Sequence, residues 1–388
     1  MVTGSVEGPR GCRPDDLAGV IGLVDGAMRQ GSDQTMLTDY PLVYATANLP
    51  NVQVVLVDGR PAATAPVLPK RIEGDGFAFG LGVISPTATD PASQHRGYGS
   101  ACVAACVARM DTMGLELSVL WTDVATFPFY ELNDWQAVER YGGACRLDRD
   151  AARQFDAWTG PATRLAEDPR RLAGVLALHL AEGPGVMRTL PEAAALFTLP
   201  KMTTWLALDG DQVAAYLVES RATNKPGLLE AGGEPGAISG LVGRVLANLG
   251  PGQSIDLHAG FAPDGLPGVV AAALPGMAPA PYEGNVMLRL NDPAGFLRGI
   301  RGWLAALRPA DRRSVSVRVT DAEVTVSLEW RPFGLAVGSR ELPDHVELTR
   351  RELTSVLFGA HPDRPVPVPE SLTWLPRFRV PIPVLDRS

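Results

Sequence analysis

Cysteine and histidine are scarce in this sequence, four and five residues in a chain of 388. No CxxC pair and no Cys/His cluster with ligand spacing occurs, which excludes the usual zinc frameworks, and no metal is expected. Cys102 and Cys106 lie one helical turn apart, while Cys12 and Cys145 are isolated. That usage fits small buried thiols in a reducing cytoplasm. No apolar run reaches the roughly 18 residues of a spanning helix, so no membrane span is expected. Met1 to Arg13 are small and polar and lack the apolar stretch of a secretory signal. A net charge of −8 and a pI near 5.3 exclude a broad basic surface, so no nucleic-acid partner is expected. They are compatible with cationic small molecules. What remains is a chain that is 46% apolar and 20% charged, the balance of a globular protein, and long enough for two or three domains.

One stretch organises the rest, Thr87-Ala-Thr-Asp-Pro-Ala-Ser-Gln-His-Arg-Gly-Tyr-Gly-Ser-Ala101. Ahead of it, Phe77 to Thr89 alternates like a strand. Behind it, Ala101 to Met110 repeats small and apolar residues at helical spacing. Strand, glycine-containing turn and helix make a phosphate-binding layout, because free backbone N–H groups and the positive end of a helix dipole converge on one point. Gly97 and Gly99 let a bulky pyrophosphate approach the main chain. About thirty residues on, Leu115 to Thr122 alternates like a strand, and Phe127-Pro-Phe-Tyr130-Glu-Leu-Asn-Asp134-Trp135 follows it.

The spacing Gln94-x-x-Gly97-x-Gly99 resembles the acyl-CoA loop of the GCN5-related N-acetyltransferases, and Tyr130 with Trp135 resembles the tyrosine helix of the same family. The family has Gly where this chain has Asp134, a residue that tolerates left-handed geometry better than most. The resemblance spans roughly residues 10 to 145. An acidic-capped helix over 14–30 opens that span, and a second helix is expected at Pro41 to Ala47. The hairpin Val52–Val57, Asp58-Gly59, Pro61–Leu68 follows.

An echo follows. Leu17-Ala-Gly-Val20 recurs as Leu172-Ala-Gly-Val175, and the Asp58-Gly59 hairpin as Asp209-Gly210 between Thr204–Leu208 and Gln212–Glu219. In this second copy Gly232-Gly-Glu-Pro-Gly-Ala237 replaces the phosphate loop, and Glu234 would repel an anion. Residues 249 to 283 read as a Gly/Pro-rich connector around Ser254–His258. A helix capped by Asp292 with Pro293 at its start, strands at Ser314–Val319 and Glu323–Trp330, and a helix at Thr349–Phe358 suggest a third, α+β part.

The expected fold class is therefore mixed α/β (α+β): tandem acetyltransferase folds over 1–145 and 146–283, the second degenerate, then a third domain over 284–388. This order resembles the enhanced intracellular survival (Eis) type of acetyltransferase, which ends in a sterol-carrier-like domain. The resemblance implies acetyl transfer from acetyl-CoA directly to a primary amine of a small cationic acceptor, aminoglycoside- or polyamine-like, held in an acidic cleft. Asp33, Asp39 and Asp123 are loop acids near the expected cleft.

By that resemblance Thr87 and Thr89 hold the pantetheine arm through their backbone. Gln94, His95, Arg96, Gly97, Tyr98, Gly99 and Ser100 hold the pyrophosphate, and Tyr130 protonates the leaving thiolate, a task suited to a phenol of pKa near 10. The base implied is the C-terminal carboxylate of Ser388, with Asp386 competing for that place. A homo-oligomer is also implied. The alternative is a non-catalytic acyl-CoA or lipid-binding protein working through the sterol-carrier-like domain.

Overall fold

The computed structural model describes residues 5–139, 143–222, 226–259, 266–277, 280–281, 285–307 and 313–387. They form two compact units, one of residues up to 140 with 284–379, the other of 141–283 with 380–387.

The first unit opens with β1 (Val6–Gly11), α1 (Leu17–Met28), the single turn α2 (Met36–Asp39) and β2 (Val52–Val57). Then come β3 (Arg60–Gly74), β4 (Phe77–Ile84), β5 (Ala88–Thr89), α3 (Tyr98–Met113), β6 (Leu117–Thr122), α4 (Phe127–Glu131) and β7 (Gln136–Ala137). The hairpin turn is as expected: Asp58 and Gly59 take φ of +49° and +73°, the pair of positive values that a two-residue hairpin demands. The helix expected from Pro41 is absent. The chain instead makes one helical turn capped by the Thr35 side chain, then irregular turns and a 3-10 stretch over Thr46–Asn51. The expected strand Phe77–Thr89 is also broken, between Ile84 and Ala88 at Ser85-Pro86.

That break matters because of the pairing around it. β4 and β6 run parallel, and their ladder holds only Leu81–Leu117, Gly82–Ser118 and Val83–Val119. Beyond it β5 turns to pair with β3, while β6 keeps pairing on its other side. The two parallel strands therefore part at their carboxyl ends, and a cleft opens there. Helix α3 covers the sheet by burying Cys102, Val103, Cys106 and Met110 against Ala63, Ala65 and Val67. Burial raises both thiols, Cys102 to about 12, so they are inert packing groups.

The second unit contains β8 (Gly143–Asp148), β9 (Ala162–Arg164), α5 (Leu172–Ala181), β10 (Gly185–Met187), α6 (Leu190–Phe197), β11 (Met202–Asp209), β12 (Gln212–Ser220) and β13 (Gly227–Gly233). It continues with α7 (Pro235–Ala247), β14 (Ser254–Ala259), α8 (Leu266–Ala273) and β15 (Ala280–Pro281). The stretch read as a connector thus supplies a helix and two strands. β14 lies between β13 and β8 and pairs with β8 along its whole length, from Ser254–Asp148 to Ala259–Gly143.

The chain then returns to the first unit with β16 (Asn285–Leu290), α9 (Pro293–Gly299), α10 (Arg301–Ala306), β17 (Val315–Val319), β18 (Val324–Arg331), β19 (Gly334–Gly338), β20 (His345–Leu348) and α11 (Arg350–Phe358). β16 inserts between β6 and β7, giving the order β1-β2-β3-β4-β6-β16-β7. The second sheet reads β9-β11-β12-β13-β14-β8-β15. The two orders match strand for strand: each has a parallel step (β4 to β6, β13 to β14) and then an antiparallel strand from a distant part of the chain. The echo in the sequence is a repeated topology.

The C-terminal part of the first unit has its own sheet, ordered β19-β18-β17-β20. Asp292 caps α9 by accepting from Gly295 N–H at 2.9 Å. The helix expected from Pro293 breaks at Ile300 into α9 and α10. Phe296 packs edge-on against Phe79 (centroids 5.1 Å apart), and Phe378 edge-on against Trp303 (4.8 Å). Rings in this arrangement add to burial, which joins this part to β4 through a dry aromatic core.

Candidate active site

The cleft at the parting of β4 and β6 is lined by Thr87, Ala88 and Thr89 on one side and by Ser93, Gln94, His95, Gly97, Tyr98, Gly99 and Ser100 at the loop. Ala125, Thr126, Phe129 and Tyr130 complete it, around a volume of about 560 Å³.

Gly97 is the N-cap of α3, with φ +80° and ψ 0°, and no side chain caps the helix. A Cβ there would meet nothing within 4 Å, so the left-handed backbone, not crowding, calls for glycine. His95 shares the left-handed region at φ +60°. The first helical bond runs from Ala101 N–H to Gly97 O at 2.9 Å. The N–H groups of Tyr98, Gly99 and Ser100 are therefore left over at the positive end of a 16-residue helix, facing the cleft. Gly99 is needed for a different reason. A Cβ on it would come within 2.8 Å of Thr89 Oγ1 and 3.5 Å of the Phe129 ring, so the loop can close on strand and aromatic only without a side chain.

Tyr130 stands on α4 across the cleft, 9% exposed, edge-on to Phe129 (4.9 Å) and to Trp135 (6.3 Å). Burial raises its phenol above the ordinary value, and the Thr87 hydroxyl opposes that rise. It is thus held neutral, as an acid should be. Asp134, where the resembled family has Gly, takes φ +64°, so the turn after α4 keeps its left-handed geometry with an acidic residue in it. Thr87 Oγ1 is buried and has no hydrogen-bond partner.

Among the site residues expected from sequence, Thr87, Thr89, Gln94, His95, Gly97, Tyr98, Gly99, Ser100 and Tyr130 all line this cleft. Arg96 does not; its exposed side chain lies off the cleft wall. Ser388 lies outside the described residues. Asp386, its competitor, is 0% exposed and ion-paired to Arg188, at 2.5 Å to Nη2 and 3.1 Å to Nε, in the second unit. A carboxylate locked to a buried guanidinium is not a free base, so Asp386 leaves that role. Asp39 is likewise buried and bound to Arg29 at 3.0 Å and Gln34 at 3.1 Å, while Asp33 and Asp123 are exposed.

Sequence reasoning missed Ser93, Ala125, Thr126 and Phe129. Thr126, one residue before α4, bonds Thr122 through its hydroxyl and donates to Asp123 O at 2.8 Å, which ties the tyrosine helix to the end of β6. The signal for Phe129 was its place beside Tyr130.

No protein-family model and no curated protein matches the chain. Solved structures do. A conserved protein of unknown function from Enterococcus faecalis superposes with a TM-score of 0.67 at 15% identity, over 92% of this chain and 90% of that one. A GCN5-related N-acetyltransferase from Kribbella flavida gives 0.66 at 14% identity, over 91% and 89%. Eis1 from Mycobacterium abscessus gives 0.59 at 17%, over 91% and 89%. The fold is that of the GCN5-related N-acetyltransferases. At these identities the likeness establishes architecture, and chemistry has to be argued from the cleft.

Among the described residues no group of His, Cys, Asp and Glu is placed to hold a metal, and no helix is long and apolar enough to cross a membrane.

Proposed function

We propose that the first unit is an acetyl-CoA-dependent N-acetyltransferase acting on a primary amine of a small cationic acceptor, aminoglycoside- or polyamine-like. One observation carries this reading: three unsatisfied N–H groups of a helix start and a buried neutral phenol face each other across one cleft. Few other chemistries need an anion site and an acid so placed. The residues fit the donor. A pyrophosphate would sit at Tyr98, Gly99 and Ser100 N–H, where Gly97 leaves open space, and the unpaired strand edge at Thr87–Thr89 would take the pantetheine amide.

With the thioester carbonyl held at the end of β4, a neutral amine attacks its carbon and forms the C–N bond, its nitrogen gives up a proton to solvent in the open cleft, and the C–S bond breaks with its electron pair leaving on sulfur. Tyr130 gives its proton to that sulfur. The acidic net charge favours a cationic acceptor. The three-part order and the likeness to Eis1 support an Eis-type arrangement, with α9–α11 and β17–β20 as the sterol-carrier-like part; we propose that it works as a homo-oligomer in the cytoplasm. A lipid carrier working through the C-terminal part alone would leave the phenol and the open helix start without a task.

The test is thiol release from acetyl-CoA with a panel of multi-amine acceptors, for wild type and Tyr130→Phe. Acceptor-dependent release that falls in the variant while acetyl-CoA still binds is the expected result. Equal release by both proteins overturns the role of Tyr130, and no release with any amine overturns the reading.

A further inference from the structure

Thr87 enters the site above through its backbone, yet its side chain is the odd group in the cleft. It follows the break in β4, where the chain has left the ladder with β6 and turned toward β3. Its Oγ1 is buried and meets no partner at good hydrogen-bond geometry, although it stands close enough to the Tyr130 phenol to hold that group down, an uncommon arrangement for a hydroxyl. A threonine with a local purpose would cap a turn or bond a carbonyl, as Thr126 does nearby. Thr87 does neither. It lines the same wall as Tyr130.

We propose that the Thr87 hydroxyl is a positioning residue for Tyr130, standing beside the phenol in the resting cleft so that it can donate in full to the phenolate left when the phenol has given up its proton. This rests on the acetyltransferase reading and names one more residue of the same site. As the C–S bond breaks and the phenol proton passes to sulfur, negative charge moves onto Tyr130 Oη. A buried phenolate is unfavourable in the apolar surroundings of the Phe129 ring and the Trp135 indole, which meet Tyr130 edge-on. The Thr87 O–H is a donor at that place, and a hydrogen bond to an ionised oxygen is about twice as strong as one to a neutral group. Solvent then returns the proton to Tyr130, and Thr87 releases it.

The groups that act on Tyr130 act in opposite senses. Thr87 opposes the rise that burial imposes on the phenol, whereas Cys106 on α3, its own thiol raised by burial, adds to it. His95 lies on the same cleft wall.

Thr87→Val keeps the shape and removes the hydroxyl, and Thr87→Ser restores it. With acetyl-CoA and an amine acceptor, Thr87→Val is expected to lower kcat about tenfold with KM for acetyl-CoA within about twofold. The limb of the pH–rate profile assigned to Tyr130 should move to higher pH, and Thr87→Ser should recover most of the loss. In a Tyr130→Phe background Thr87→Val should cost nothing further. A second readout needs no turnover: ultraviolet titration of phenolate, with the Tyr130 step identified by its absence in Tyr130→Phe. That step should lie at higher pH in Thr87→Val than in wild type and Thr87→Ser. A shifted titration without turnover would keep the Thr87–Tyr130 pairing and sink the acetyltransferase reading. An unshifted titration, or an equal loss of kcat in the Tyr130→Phe background, would overturn the pairing itself.

Discussion

The two units share a strand order and differ at one corner. In the first, α3 starts from a left-handed glycine, uncapped, with its N–H groups facing a cleft. In the second, α7 starts with Pro235 directly behind Glu234. Gly233 ahead of it takes φ +112°, and a Cβ there would lie 2.2 Å from Ala214 O. Its N–H is already taken by Glu182 Oε1 at 2.6 Å. Two carboxylates and a proline thus occupy the place where the first unit leaves three donors free. The helix after the parallel step differs as well: α4 carries Tyr130, whereas α8 is Leu-Pro-Gly-Val-Val-Ala-Ala-Ala.

What the second unit has instead is a buried ion network. Arg188 donates to Glu230 at 2.8 and 2.6 Å and to Asp386 at 2.5 Å. Tyr216 and His179 also bond Glu230, at 2.8 and 3.1 Å. Burial alone would raise the Glu230 carboxyl, but Arg188 and His179 outweigh it and hold it well below the usual range. The lesson is that a repeated backbone does not repeat a site. At the start of α7, Glu234 and Pro235 stand where α3 has an open glycine turn, and elsewhere in the second unit Arg188, bonded to Glu230, holds Asp386 of the final segment.

That contrast can be broken at several points. The largest effect should come from Arg188→Met, which leaves two carboxylates buried without their cation. A loss of about 3–5 kcal/mol in urea unfolding is expected, with no change in acetyl-CoA binding by the first unit. Tyr130→Phe should lower kcat by about a hundredfold without comparable loss of stability, while Tyr216→Phe should lower stability by about 1–3 kcal/mol and leave kcat alone. If the two tyrosines behave alike, the division of labour is wrong.

The pH dependence has a definite sign. A carboxyl depressed in the folded state contributes stability above its unfolded value, near 4.5, and loses it as the pH falls toward the folded value. Wild type should therefore weaken progressively below about pH 4.5, and Glu230→Gln should show a flatter acid limb, checked by unfolding midpoints across that range. The smallest effect concerns Asp134, a left-handed residue where glycine is at ease. Asp134→Gly should stabilise by about 0.5–1 kcal/mol, read as a small rise in Tm.

Local chemistry made much of this legible. The Asp58-Gly59 turn, the 97–99 glycines and the Tyr130 helix each announce their geometry in adjacent residues. The cleft was readable because its walls follow one another along the chain. Long-range pairing was not. Nothing in Asn285–Leu290 says that it enters the first sheet beside β6, and glycines and prolines around Ser254–Ala259 disguised a central strand. Arg188 and Asp386 lie 198 residues apart with no periodicity to link them. The Pro41 stretch failed for a different reason: the Thr35 cap starts a single helical turn earlier, over Met36–Asp39, and Pro41, which lacks a backbone N–H, follows its end.

The most direct test of the claim that only the first corner binds the acyl donor is thermal unfolding with and without acetyl-CoA. It would compare wild type, Gly97→Glu and Glu234→Gly. Binding to the folded state raises Tm by mass action, equivalent to about 2.7 kcal/mol at a hundred times Kd. The account predicts a clear rise in wild type, the same rise in Glu234→Gly, and none in Gly97→Glu. A rise that survives Gly97→Glu would contradict it, and so would no rise in any of the three.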